Sequence, residues 1–341
     1  MPSKVSKFEE VKQQRTALYT TIFSQVFSPC GKYLVASNNF GQLAVFSLTN
    51  ALGINAAEDT RLPVNIFEAH KGSIYVLLPT PSFLISGGTS AIHGWKWNDV
   101  IHSKDPRPSW TLSPSSSSPF DVPETNGLAY FSQANTLASG GGGNCIDLWD
   151  LETGQCKASL SGHNDYIHCI AALEKSNQCV SGSEDGTVRF WDCRARQSMT
   201  SLVEPNKNED AKRPDVGSWI SCVAVDHAEQ WLVCGGGPHL SCWHIPSSTL
   251  TAVLPTQNSC PLTAIYHEEK ILSGGTEPIV FQWSVNGDER TELPVSPSSV
   301  YSLAINDNSQ SNKVLSIAGN STDINVCTNF HYEAFSFKFC A

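Results

Sequence analysis

A histidine, a serine and an aspartate recur within one short stretch: His163, Ser181 with Ser183 close behind, and Asp185, followed by Trp191. These are the residue types of a hydrolytic triad, in which a carboxylate orients an imidazole and the imidazole takes a proton from a hydroxyl. Their frame points elsewhere. Asp185-Gly186-Thr187 is a tight-turn sequence between the runs Cys179-Val180-Ser181-Gly182-Ser183 and Val188-Arg189-Phe190-Trp191-Asp192, so it joins two strands. In that setting Asp185 holds the turn and accepts from the imidazole, the imidazole meets a serine hydroxyl, and the hydroxyl meets the indole N–H. A buried polar chain of this kind stabilises only when every member is satisfied, and it then fixes strand register. The four residues are therefore read as a structural tetrad, and no catalytic residue is expected.

The other chemistry-bearing residues read the same way. Gly140 to Gly143 resembles a phosphate cradle, but it leads into Cys145-Ile146-Asp147-Leu148-Trp149, a strand, whereas a phosphate loop opens a helix. Cys234 to Gly237 is likewise a turn. No HExxH, GxSxG or Walker sequence is present. The 12 cysteines are scattered singly from Cys30 to Cys340 without a CxxC pair, which fits buried free thiols in a reducing compartment rather than a zinc site. No cofactor, metal or small-molecule substrate is expected. The formal charge of −10 argues against unaided gripping of nucleic acid, so any RNA association would be indirect. Met1 to Phe8 lacks the apolar core of a secretory signal. No apolar run is long enough to span a membrane, so no membrane contact is expected. The sequon at Asn320 is read as a chance match.

What positions these residues is a repeat. The unit from Gly162 to Arg194 runs strand, turn, strand, tight turn, strand, between a Gly-His and a Trp-Asp dipeptide. Weaker copies follow it: Ser86-Gly87-Gly88 before Trp95, Ser139-Gly140-Gly141 before Trp149, Cys234-Gly235-Gly236 before Trp243, and Ser273-Gly274-Gly275 before Trp283. Two copies have lost the tryptophan and end at Phe46 and Cys327. In all seven an aliphatic residue stands three positions before the marker, and marker spacings run from 40 to 54 residues. Apolar innermost strands are predicted at Phe23 to Phe27, Ile74 to Leu78, Leu128 to Phe131, Ile167 to Ala171, Ile220 to Val225, Leu262 to Tyr266 and Val300 to Ile305. Fourth strands are predicted at Val64 to Phe67, Ser109 to Leu112, Cys156 to Leu160, Ser198 to Val203, Leu250 to Leu254 and Glu333 to Phe339. The fold class is all-β: a seven-bladed WD40 β-propeller over residues 21–341.

Residues 1–20 have no blade to join. Phe8, Val11, Arg15, Leu18 and Tyr19 are spaced for one helical face, and Lys4 to Tyr19 is expected to form a short amphipathic helix packed on the propeller or a partner. The N-terminal strand opens blade 1 and Tyr332 to Phe339 completes blade 7, so no strand exchange is expected at closure. Ala51 to Arg61, Asn98 to Glu124 and Glu204 to Val216 are insertions, the second of them Ser/Pro-rich and expected to be mobile. A rigid propeller displays its loops on two faces, and aromatic and arginine side chains are the usual interface anchors. On the Gly-His face the partner-binding candidates are Tyr75, Tyr166, Trp219 and Tyr301; on the opposite face, Arg194; on the helix, Phe8, Val11 and Leu18.

Particular strings go beyond general repeat grammar. Ile22-Phe23-Ser24-Gln25, Ser28-Pro29-Cys30-Gly31-Lys32, Gly162-His163-Asn164-Asp165-Tyr166-Ile167-His168-Cys169, Val233-Cys234-Gly235-Gly236-Gly237-Pro238 and Ala334-Phe335-Ser336-Phe337 resemble the THO complex subunit 6 family. The resemblance runs from about Thr21 to Phe339. It implies a nuclear scaffold, in speckles, within the transcription–export complex that links messenger RNA processing to export. It also implies protein partners, THO subunits 5 and 7, and a part in THO assembly. A second resemblance is narrower: Trp191-Asp192-Cys193-Arg194 is similar to the WDxR box of cullin-4 ubiquitin-ligase substrate receptors, which implies contact of Arg194 with the ligase's adaptor. A third class, an RNA-binding propeller, would require steeply salt-dependent RNA affinity, and little is expected.

Overall fold

The computed structural model describes residues 15–16, 18–114, 123–194, 199–256, 258–328, 330 and 332–339. Among the described residues, twenty-eight strands form seven four-stranded antiparallel sheets, each built from four strands consecutive in sequence. The innermost strands are Ile22–Phe27, Ile74–Pro79, Thr125–Phe131, Ile167–Leu173, Ile220–Val225, Pro261–His267 and Val300–Ile305. Successive innermost strands touch, and that of blade 7 touches that of blade 1, so the ring is closed. Hydrophobic clusters fill the spaces between adjacent blades; one contains Leu173, Val180 and Phe190 of blade 4 with Ile220 and Leu232 of blade 5.

The outermost strands carry little apolar signal. That of blade 6, Arg290–Pro294, buries only Leu293, and the sequence pattern does not reveal it. The other six fall within two residues of their predicted starts. Part of the 98–124 insertion is ordered: Trp97–His102 is helical and Trp110–Leu112 is a strand. Asn65 Nδ2 donates to the carbonyls of Val100 and Ser103, both at 2.8 Å, and ties that helix to blade 1. Residues 115–122 of the insertion's Ser/Pro-rich run lie outside the described residues.

A β-bulge recurs at one position in every blade. Ile22 faces Asn38 and Ser24 faces Ser37, leaving Phe23 without a partner. The same slip leaves out Tyr75, Asn126, His168, Ser221, Leu262 and Tyr301. A bulge bends its strand and re-aims one side chain. It also explains the second glycine of the repeated Gly-Gly. In five blades the facing strand ends in Gly88, Gly141, Gly236, Gly275 or Gly319, where a Cβ would lie 1.8–2.2 Å from a backbone carbonyl oxygen.

Closure uses no exchanged strand. Blade 7 consists of Val300–Ile305, Leu315–Gly319, Asp323–Cys327 and Phe335–Lys338. Side chains clasp it to blade 1 instead. Gln25 Nε2 donates to the Ser302 carbonyl (3.1 Å) and its Oε1 accepts from the Ser316 hydroxyl (2.6 Å). Asn306 Nδ2 donates to the Gly31 carbonyl (2.8 Å) and Asn308 Nδ2 to that of Ser28 (3.2 Å). Beneath them Phe46, Phe337 and Phe339 pack together, with Phe46 and Phe337 centroids 4.8 Å apart. Of the N-terminal extension, Arg15–Thr16 and Leu18–Tyr19 are helical. Asn39 Nδ2 donates to the Tyr19 carbonyl at 2.9 Å and anchors the end of this turn to blade 1.

Candidate functional site

Blade 4 brings the predicted tetrad together. Trp191 Nε1 donates to Ser181 Oγ (2.8 Å), Ser181 Oγ lies 2.7 Å from His163 Nε2, and His163 Nδ1 lies 2.9 Å from Asp185 Oδ2. Ser181 is the hydroxyl in the chain; Ser183 instead donates to the Asp165 carbonyl and accepts from the Asp185 amide. Burial lowers the His163 pKa despite the carboxylate beside it. Burial also opposes ionisation of Asp185, but hydrogen bonds from Thr187, the Asn164 amide and His163 outweigh it and bring its pKa down to about 2. A neutral imidazole donating from Nδ1 and accepting at Nε2 satisfies every member, with the proton polarity running from indole to carboxylate.

This polarity is that of a triad, but the hydroxyl cannot act as a nucleophile. Ser181 is 0% exposed, and its oxygen already accepts the indole N–H. A substrate carbonyl has no path to it.

The lock decays around the ring. Blade 2 keeps three members: Trp95 Nε1 donates to Ser86 Oγ (2.9 Å), which lies 2.7 Å from His70 Nε2. Its turn, Thr89-Ser90-Ala91, supplies no carboxylate, and the buried His70 Nδ1 has no hydrogen-bond partner. Burial, with a second contribution from His93, pushes the His70 pKa down to about 3. Sequence reading missed His70 because Ala69, not glycine, precedes it and because it stands 16 residues before its serine rather than 18. Blades 3 and 6 keep only the Trp–Ser pair, Trp149 to Ser139 (2.8 Å) and Trp283 to Ser273 (3.1 Å). In blade 5 Cys234 takes the serine place and Ser241, on the facing strand, accepts from Trp243 at 2.9 Å.

The candidate anchors are dispersed. Tyr75 and Tyr301 are half-buried and flank Phe23, with ring centroids 5.4 and 5.6 Å from it. Phe23 was read only as strand core, and nothing in the one-dimensional pattern marks a bulge. Tyr166 is exposed and lies over Gly142. Trp219 is half-buried and folds back onto Gly217, whose φ of +140° suits glycine. Leu18 and Tyr19 are strongly exposed at the end of the N-terminal turn, beside the loop carrying the exposed Phe40. Phe8 and Val11 lie outside the described residues. Arg194 is on the opposite face, where it lines a groove with Ser132, Gln133, Glu174 and Lys175. Its guanidinium is forked onto Asp192, Nε to Oδ1 at 2.9 Å and Nη2 to Oδ2 at 2.7 Å.

Of the described cysteines, Cys179, Cys222, Cys234, Cys242 and Cys327 are buried, whereas Cys30 and Cys156 are exposed, and none is in a disulfide. Among the described residues no cluster of His, Cys, Asp and Glu side chains is close enough to hold a metal. No described helix is long and apolar enough to cross a membrane.

Comparison with known proteins agrees with this architecture. The family model of the WD domain, G-beta repeat, matches residues 154–192, the blade with the complete tetrad. Over 322 residues the chain is 41% identical to the THO complex subunit 6 homolog of Danio rerio, covering 94% of this chain and 98% of that protein. Over 332 residues it is 40% identical to THO complex subunit 6 of Homo sapiens, covering 97% and 96%. The chain belongs to the THO complex subunit 6 family. The likeness reaches plants: THO complex subunit 6 of Arabidopsis thaliana is 27% identical over 329 residues. In this chain the tetrad residues His163, Ser181 and Asp185 are held inside blade 4, whereas Tyr166 and Arg194 are exposed.

Proposed function

We propose that this chain is a non-catalytic scaffold subunit of the THO complex, consisting of residues 21–341 as propeller and residues 1–20 as a helical extension. It would act in the nucleus, including speckles, within the transcription–export complex that processes, splices and exports messenger RNA. Its partners would be THO subunits 5 and 7, and its contribution the assembly of THO. The observation that carries this reading is family membership across nearly the whole chain, 94% and 97% in two relatives. The sealed Ser181 hydroxyl supports absence of catalysis. The formal charge of −10 supports an indirect relation to RNA.

Affinity purification of the tagged chain, followed by mass spectrometry, tests the reading. Stoichiometric recovery of THO subunits 5 and 7 is expected, and their absence would overturn it. The exposed Arg194 favours one second reading, a substrate receptor for a cullin-4 ligase. That reading predicts recovery of the ligase's adaptor and its loss in Arg194→Ala, with THO association intact.

A further inference from the structure

The recurrent bulge has a consequence at one mouth of the central channel. In blades 7, 1 and 2 the bulged residues are Tyr301, Phe23 and Tyr75, three aromatics on consecutive innermost strands. Phe23 touches a ring from the blade on each side, at centroid distances of 5.4 and 5.6 Å and interplanar angles near 60°. A side chain buried between one pair of blades could not touch both neighbours, so the three rings form an arc on the channel wall. All three are half-buried. In blade 4, three blades round the ring from Phe23, the bulged residue is His168, whose Nε2 lies 2.8 Å from Glu184 Oε2. Glu184 is 44% exposed. Aromatic rings therefore stand on one side of the mouth and a carboxylate on the other.

Aromatic faces carry negative quadrupole potential and attract cations, most strongly where water is partly excluded. An opposing carboxylate adds long-range attraction, focused by the low-dielectric walls of a mouth. Arg213, on the same face, is held by the carbonyls of Ser259 (2.9 Å) and Asn258 (3.3 Å). We infer that this mouth receives a cationic side chain, an arginine or a lysine with or without methylation, presented by a partner polypeptide. The inference rests on the scaffold reading only in taking the partner to be a protein.

Titration of the full chain with capped pentapeptides, Gly-Gly-X-Gly-Gly, tests it without any THO subunit, so its failure is distinct from failure of THO association. With X as arginine, lysine or trimethyl-lysine, at least one peptide should saturate and bind at least tenfold more tightly than the norleucine peptide. Tyr75→Leu and Tyr301→Leu should each weaken it at least fivefold, Tyr75→Phe should retain it, and Glu184→Gln should weaken it about threefold. Should a leucine variant fail to fold, the exposed Glu184→Gln carries the test. Equal binding of norleucine, no saturation by any cationic peptide, or indifference to the variants that fold would overturn the inference. So would binding of oligouridine that is lost in the tyrosine variants, since the arc would then be a base-stacking platform.

Discussion

Blade 4 and the junction of blades 7 and 1 hold the ring by different means. Blade 4 is locked from within: a polar chain from Trp191 to Asp185 ties the third and second strands to the loop before the first and to the tight turn between the second and third. The junction has neither tryptophan nor tetrad, and its markers are Phe46 and Cys327. It is clasped across the blade boundary by the buried Gln25 and Asn306, with Asn308, over a core of phenylalanines. A polar lock acts within one blade, where residues eighteen apart can be brought together by a turn. Closure must join groups nearly three hundred residues apart, such as Gln25 and Ser316. Apolar burial does most of that work, because it tolerates imprecise geometry and the amides then set orientation.

Breaking the junction should cost most. Phe337 is fully buried against Phe46, and Phe337→Ala should destabilise by about 3–5 kcal/mol in urea unfolding. Breaking the lock should cost less. Asp185→Ala leaves the buried imidazole N–H only the longer contact with Thr187 Oγ1 (3.3 Å), at about 1–3 kcal/mol, and a double-mutant cycle with His163→Ala should reveal strong coupling.

Blade 2 sharpens the contrast, because it is a lock without its acid. The His70 pKa is about 3 when folded against 6.5 ordinarily. Between those values the unfolded chain binds the extra proton, so stability is complete above pH 6.5 and falls as pH drops toward 3. By pH 5 the loss should be on the order of 1–2 kcal/mol. His163 pulls with the same sign. Asp185, at about 2 against 3.8, loses its contribution only below pH 3.8. Replacing His70 with glutamine should therefore flatten the pH 4–6.5 limb of the stability curve, and an unchanged slope would refute the assignment. Arg194→Ala marks the smallest effect: an exposed pair on neither lock nor clasp should leave the melting temperature unchanged.

The seven-fold repeat was legible because each blade's third strand carries an aliphatic residue three places before the tryptophan or its substitute, Phe46 or Cys327. The full tetrad was legible because blade 4 retains every member in order. The outer strand of blade 6 was not, since a strand with one buried residue, Leu293, has no alternation to read. His70 was not, since its acid partner is absent. The aromatic arc was half-legible: Tyr75 and Tyr301 were marked by type and place, but Phe23 joins them only through a bulge, which is a property of strand pairing.

Native-state hydrogen exchange, read by mass spectrometry on the full chain, compares lock and clasp directly. Amides of Gln178–Ser183 and Val188–Asp192 should open only near the free energy of global unfolding, because covalent neighbours and the tetrad hold them on all sides. Those of Ile22–Phe27 and Phe335–Lys338 should open at lower free energy, as the two ends of the chain separate. Blade 4 opening first, with the junction still protected, would contradict the account.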